Sequence, residues 1–318
     1  MIKNIALGAA LVVGLASAAP AAAEDTLKLA VGQRGNWDTA VAELGQRAGI
    51  FARRGLKLDL LYTAGGGETQ QAVISGSVDI GIAAGSAGVI GVFAKGAPVR
   101  VIGAETTGAA DYWYVPAASA IKGLKDTEGK TIAYSTKGSS TNSIVLALMK
   151  QAGVNARPTA TGGAPATFTQ VMSGQIDVGW AAPPFGLDAL DAGRIRIIAR
   201  GNDLPEIKGQ TVRFVIVNAS ALQQRKDAIA RFMQAYRETI AWMYSDPAAL
   251  KAYAEFAGVS PAQATLVRDR FFTRDMLDPD KIVGLDRTLA EALDHKFIRA
   301  PLAKDKLAEL IQLQPKVK

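Results

Sequence analysis

The 318-residue chain contains no cysteine and a single histidine, His295. The first absence excludes disulfides, thiolate metal centres and a cysteine nucleophile. The second leaves no histidine set for a metal and, with His295 late in a helical stretch, no base for a serine nucleophile. HExxH, GxSxG, Cys-x-x-Cys and Walker sequences are also missing, so neither enzymatic chemistry nor a bound cofactor or metal is expected. Basic residues exceed acidic ones, 36 to 29, for a net charge of +7. They are scattered and form no long basic run, which argues against nucleic acid as a partner.

What the chain does have is a stretch that occurs twice. Val73 to Ala84 reads VISGSVDIGIAA, and Val171 to Ala182, 98 positions later, reads VMSGQIDVGWAA. Seven of the twelve positions are identical, and most others exchange one apolar residue for another. Each copy has the grammar of a helix closed by Ser-Gly and followed by a short buried strand. A unit this long used twice predicts two similar α/β lobes rather than a solenoid. Asp79 and Asp177 open the two strands, where accepting backbone hydrogen bonds is their expected role.

Residues Met1 to Ala23 read as an export signal. Lys3 gives the positive start, Ile5 to Ala19 the apolar middle, and Ala21-Ala22-Ala23 the cleavage site. The mature protein is therefore expected to begin at Glu24 in the periplasm. Strands are predicted at Thr26–Val31, Leu56–Tyr62 and Val99–Ala104, alternating with helices as in a parallel α/β unit. The second lobe is expected from Pro116, with strands at Lys130–Tyr134, Gln175–Ala182 and Ile195–Ala199. Arg213–Val217 returns the chain to the first lobe, giving lobe 1 over 24–115 and 212–318 and lobe 2 over 116–211. Two crossings, near Pro116–Gly123 and Gly201–Gly209, make a two-segment hinge. From Ser220 the tail is helical, with starts at Asp246-Pro247, Ser260-Pro261 and Asp278-Pro279, and is assigned to the first lobe.

In parallel sheets, ligands bind beyond the carboxyl ends of the strands. That rule nominates six loops. Gln33–Trp37 supplies Arg34, Asn36 and Trp37, Gly65–Glu68 supplies Gly67 and Glu68, and Gly85-Ser86 completes the first lobe. The second lobe offers Lys137–Thr141, Gly162–Ala164, and Pro183 to Phe185. Gly138, Ser139, Ser140 and Thr141 stand out, because backbone amides at a helix start and three hydroxyls suit an anion. The plainer alternative is a helix cap without a ligand. Arg34 would add a cationic contact, Glu68 would favour an amine, and Trp37 and Phe185 would wall the cleft. Trp180 alternates with core positions, so burial is its expected state.

The segments GIFARRGLKLDL, QQAVISGSVDIGIAAGSA, LKDTEGKTIAYSTKGSS and SGQIDVGWAAPP resemble the periplasmic solute-binding proteins of ABC importers, of the nitrate/alkanesulfonate/taurine type. The resemblance covers most of the mature chain. It implies a bilobed type II periplasmic binding fold that closes on a small, sulfonate- or carboxylate-like solute. It further implies delivery to a membrane permease with its ATPase subunit, by a protein acting as a monomer. The family's ligand loops fall on Gly85-Ser86 and Gly138–Thr141. Where many relatives carry tryptophan and a polar residue, this chain has Pro183-Pro184-Phe185, which implies a more apolar ligand body than taurine or nitrate. Fungal pyrimidine-precursor synthases and LysR-type effector domains share the fold. The former consume a histidine, and the latter follow a helix-turn-helix where this chain has its export signal.

Overall fold

A computed structural model describes residues 24–316; the expected export signal lies outside them. Ten strands run β1 (Asp25–Gly32), β2 (Leu56–Thr63), β3 (Ile80–Gly85), β4 (Val99–Thr107), β5 (Tyr112–Pro116), β6 (Thr131–Tyr134), β7 (Arg157–Ala160), β8 (Gly179–Ala181), β9 (Ile195–Arg200) and β10 (Thr211–Asn218). Between them lie α1 (Val41–Arg47), α2 (Gly66–Ile74), α3 (Ser86–Phe93), α4 (Ser140–Ala152), α5 (Ala164–Met172), α6 (Leu187–Asp191) and α7 (Pro205–Lys208). The tail adds α8 (Ala219–Gln224), α9 (Lys226–Ser245), α10 (Pro247–Ala257), α11 (Pro261–Leu266), α12 (Leu285–Asp294) and α13 (Lys304–Leu310). No helix among the described residues is long and apolar enough to cross a membrane.

The first sheet has the order β2-β1-β3-β10-β4. Its first three strands are parallel, and β10 runs antiparallel between β3 and β4. In the second lobe β6 pairs β7 in parallel, and β5 runs antiparallel between β8 and β9. The two parts join where Ala133 N–H donates to Val178 O at 2.8 Å and Val178 N–H to Thr131 O at 3.0 Å. The resulting order, β7-β6-β8-β5-β9, repeats that of the first lobe strand for strand. In each lobe the antiparallel member is the strand that arrives from the other lobe.

That exchange corrects one expectation. Tyr112–Val115, expected in the first lobe, form β5 of the second sheet. The first crossing is therefore at 108–111 rather than 116–123. It runs beside the second crossing, with Gly108 N–H donating to Gln210 O at 2.9 Å and Gly201 N–H to Asp111 O at 2.8 Å.

The repeat also reaches further back than its apolar core suggests. Thr63 and Thr69 share a hydroxyl hydrogen bond of 2.8 Å, and Thr161 and Thr167, each 98 residues on, share one of 2.6 Å. Asp79 and Asp177 likewise play one part twice. Asp79 Oδ2 accepts from Lys28 N–H at 2.9 Å, and Asp177 Oδ2 accepts from Thr131 N–H at 2.8 Å. Each carboxylate thus ties the start of its strand to the strand alongside.

Leu27, Leu29 and Val31 alternate onto one face of β1, as the period of a strand requires. There they meet Phe232, Tyr236 and Ile240 of α9, so the tail packs on the first lobe. Ala30 faces the other core with Val89 and Phe214. The second lobe closes over Trp113, Ile132, Leu148 and Trp180. Asp246 and Ser260 cap α10 and α11, each with proline at the first turn. Asp278-Pro279, expected to open a helix, instead forms a turn. Pro279 O accepts from Ala104 N–H at 3.0 Å, so this stretch lies along the edge of the sheet.

Candidate functional site

The carboxyl ends of the two sheets face each other across one small cavity of about 20 Å³, lined by Gln33, Asn36, Thr39, Gly66, Asp111, Ser135, Ser139, Ser140, Thr141, Trp180 and Arg213. That volume holds about one water molecule. The lobes touch directly around it. Gly67 N–H donates to Thr136 Oγ1 at 3.0 Å, and Gln70 Nε2 donates to Gly138 O at 3.0 Å.

Arg213 is the centre of the site. It projects from β10, a strand buried along its whole length. Its Nη1 donates to Asp38 Oδ2 at 2.6 Å, its Nη2 to Asp111 Oδ2 at 2.6 Å, and its Nε to Ser140 Oγ at 2.9 Å. One guanidinium thereby joins the exit loop of β1, the first crossing and the cap of α4. Burial alone would lower its pKa, but Asp111, Asp38 and Glu105 together hold it above the ordinary value. Glu105, fully buried on β4, is pushed up to about 8 by burial and by the negative charge of Asp38. Both causes favour its neutral form. Burial raises Asp111 as well, with Arg213 opposing and Asp38 adding to the rise.

The nominated residues separate into groups. Asn36, Ser139, Ser140 and Thr141 line the inner cavity. Gly67, Glu68 and Gly138 instead line a second cavity of about 480 Å³ between α2, α3 and the 136–138 turn. Gly85 sits on the α4 cap so closely that a Cβ there would lie 2.5 Å from Ser140 N. Ser86 Oγ donates to Thr211 O at 2.7 Å and is buried away from the inner cavity. Pro183 is buried, and the half-buried Phe185 ring packs on Gly35 of the opposite lobe.

Two further nominations point away from the cavity. Arg34 turns outward, its guanidinium 4.4 Å above the Phe256 ring. Trp37 is a core residue, edge-on to Tyr253 at 4.8 Å. Trp180 is buried, and it also walls the cavity. His295 ends α12, in a separate cavity with Lys150 and Glu291.

The hydroxyls of the nominated anion seat are already engaged. Ser139 Oγ accepts from Asn142 N–H at 3.2 Å, which is the helix cap. Ser140 Oγ accepts from Arg213, and Thr141 Oγ1 accepts from Ser135 N–H at 2.9 Å. Sequence reasoning missed Asp38, Glu105, Asp111 and Arg213. Their signal was present: Arg213 is the lone charge in TVRFVIV, and Glu105 the lone charge in VIGAETT. A charge inside a strand that is otherwise apolar demands a buried partner.

A profile described as "NMT1/THI5 like" matches residues 37–250. The chain belongs to the NMT1/THI5-like family. No curated protein sequence matches it. Among solved structures, it resembles the alkanesulfonate-binding protein SsuA from Xanthomonas axonopodis pv. citri bound to MOPS, with a TM-score of 0.72 at 20% identity, over 91% of this chain and 98% of that one. The periplasmic aliphatic sulphonate binding protein SsuA from Escherichia coli gives 0.66 at 20% identity, over 92% and 94%. The periplasmic nitrate-binding protein NrtA from Synechocystis PCC 6803 gives 0.70 at 13% identity, over 90% and 84%. At these identities the likeness establishes the periplasmic binding protein fold for this NMT1/THI5-like chain.

Proposed function

We propose that this NMT1/THI5-like protein is the solute-binding receptor of an ABC importer. It is exported, cleaved after Ala23, and acts in the periplasm as a monomer. It captures one small organic solute between its lobes and hands it to a membrane permease and its ATPase subunit. The observation that carries this reading is the polar cavity where the carboxyl ends of the two sheets meet, with both crossings beside it. Similar binding proteins for sulfonates and nitrate support a receptor over an enzyme. So does the position of the lone histidine, His295, outside that cavity.

Closure of the lobes gives the test. Protein purified from its host should release an unaltered small molecule on denaturation. Returning that molecule to stripped protein should reduce the radius of gyration in small-angle scattering. Chemical conversion of the solute would refute the receptor reading, and an unchanged radius would refute closure. Sulfonates, carboxylates and nitrate belong in the first panel, since the similar proteins are named for two of these classes.

A further inference from the structure

Three buried polar atoms on residues that line the inner cavity lack a partner. Asp111 is 1% exposed and commits Oδ2 to Arg213, while its Oδ1 is buried without a partner. Asn36, 3% exposed, also has an unpartnered Oδ1. Its amide can offer either end by a half-turn, so Asp111 sets the polarity. On the opposite wall Trp180, 1% exposed, has a buried Nε1 without an acceptor. A buried polar atom left unmatched is costly, so these atoms specify the chemistry that would complete the site.

Positive charge is correspondingly scarce. All three nitrogens of Arg213 already donate, to Asp38, Asp111 and Ser140. Two further N–H groups of Arg213 stay free, but the carboxylates of Asp38 and Asp111 outweigh its single charge, so an entering anion meets net negative charge. The start of α4 offers no substitute. Gly85 lies against the Ser140 amide, and the hydroxyls of Ser139, Ser140 and Thr141 are engaged.

Granting the receptor reading, we propose that the captured solute is a neutral or cationic N–H donor, of amide or amidine type, and not an anion. As the lobes part from their present contact to admit it, its N–H group donates to Asp111 Oδ1 and to Asn36, and a carbonyl or imine atom, where present, accepts from Trp180 Nε1. The half-buried Phe185 ring, packed on Gly35 next to Asn36, suits an apolar body behind that polar head.

Isosteres that differ only in charge and donor count provide the test. Acetate, acetamide and acetamidinium, then benzoate, benzamide and benzamidinium, are titrated calorimetrically into stripped protein at neutral pH. The amide or amidinium of at least one series should bind at least about tenfold more tightly than its carboxylate, a difference of about 1.4 kcal/mol. A carboxylate that binds as tightly as its partners overturns the inference, and so does the absence of binding by every probe at millimolar concentration. Carboxylate binding with compaction in scattering would leave the receptor reading standing and remove only the solute class. Amidinium binding without compaction would do the reverse.

Two substitutions localise the effect. Asp111→Asn should weaken benzamidinium by about tenfold or more and benzamide by less, because a formal charge is lost. Trp180→Phe removes the donor alone and should weaken benzamide more than benzamidinium. If Asp111→Asn does not fold, Trp180→Phe and the wild-type series still decide the matter. Equal losses for both probes in Trp180→Phe would overturn the assigned orientation.

Discussion

Arg213 Nη2 donates to Asp111 Oδ2 at 2.6 Å, which ties β10 of the first lobe to the first crossing between the lobes. Asp111 closes the outward crossing, and Arg213 opens into β10 just after the return. Both are at least nine-tenths buried, so the pair is shielded from solvent and salt. Replacing Arg213 with methionine would leave Asp38 and Asp111 without their cation. Breaking a buried pair in this way costs about 3–5 kcal/mol. Urea denaturation should therefore show Arg213→Met destabilised by that order, and a loss below about 1 kcal/mol would contradict a structural role for the cluster.

Glu105 makes stability depend on pH. Its folded pKa of about 8 lies above the ordinary 4.5. Between those values the unfolded chain releases the proton that the folded protein keeps. Stability must then fall as pH rises through this window, by at most about 1.4 kcal/mol per pH unit. Asp111, also raised, acts with the same sign. His295 is lowered by burial and acts the opposite way, strengthening the fold as pH rises towards its ordinary value of 6.5. Glu105→Gln can keep the acceptor for Thr106 while removing the titration. Stabilities measured from pH 6.5 to 8 should decline less steeply for the variant than for wild type. Parallel curves would show that Glu105 does not titrate there.

Much of this arrangement was legible in the chain, and the limits are physical ones. The doubled SG-x-x-D unit predicted two lobes because a repeat in sequence becomes a repeat in topology. The rule that sites lie beyond strand carboxyl ends placed Gly85 and the 138–141 loop opposite each other, as they are. Periodicity failed where direction mattered. Arg34 and Trp37 occupy the right loop but turn to Phe256 and Tyr253, residues about 220 positions away, which no local pattern encodes. Tyr112–Val115 fell inside the expected first lobe, yet which sheet adopts a segment depends on its partners, here β8 and β9. Asp278-Pro279 carries a good helix start, but hydrogen bonding along the edge of β4 prevails over that local preference.

Gly88 tests closure without touching the cavity. It lies in α3 and faces the turn before α4, where a Cβ would come within 2.0 Å of Gly138 O. Backbone cannot yield at that distance, so Gly88→Ala should hold the lobes apart. Within its own helix alanine is favoured over glycine by about 0.5–1 kcal/mol, so the first lobe should not weaken. Apparent affinity falls in proportion to the closed fraction. The expected outcome is a loss of about ten- to a hundredfold, with no ligand-induced fall in the radius of gyration. Unaltered affinity in Gly88→Ala would mean that binding does not require the contact of α3 with Gly138.

Ser139 and Ser140 are adjacent, but they do different things. Ser139 Oγ caps α4 through Asn142 N–H, and Ser140 Oγ accepts a hydrogen bond from Arg213 Nε–H across the interface. Ser139→Ala removes a cap within one lobe and should cost about 0.5–2 kcal/mol in unfolding, whether or not the cleft is closed. Ser140→Ala instead strips an acceptor from a buried guanidinium, a loss of about 1–3 kcal/mol that exists only while the lobes meet. Opening would let water replace the hydroxyl, so this loss should fall on closure rather than on folding. Ser140→Ala is therefore expected to lower solute affinity by about tenfold or more while shifting the urea midpoint of solute-free protein less than Ser139→Ala does. Equal effects of the two variants on both measurements would mean that the Arg213–Ser140 bond plays no separate part in closing the cleft.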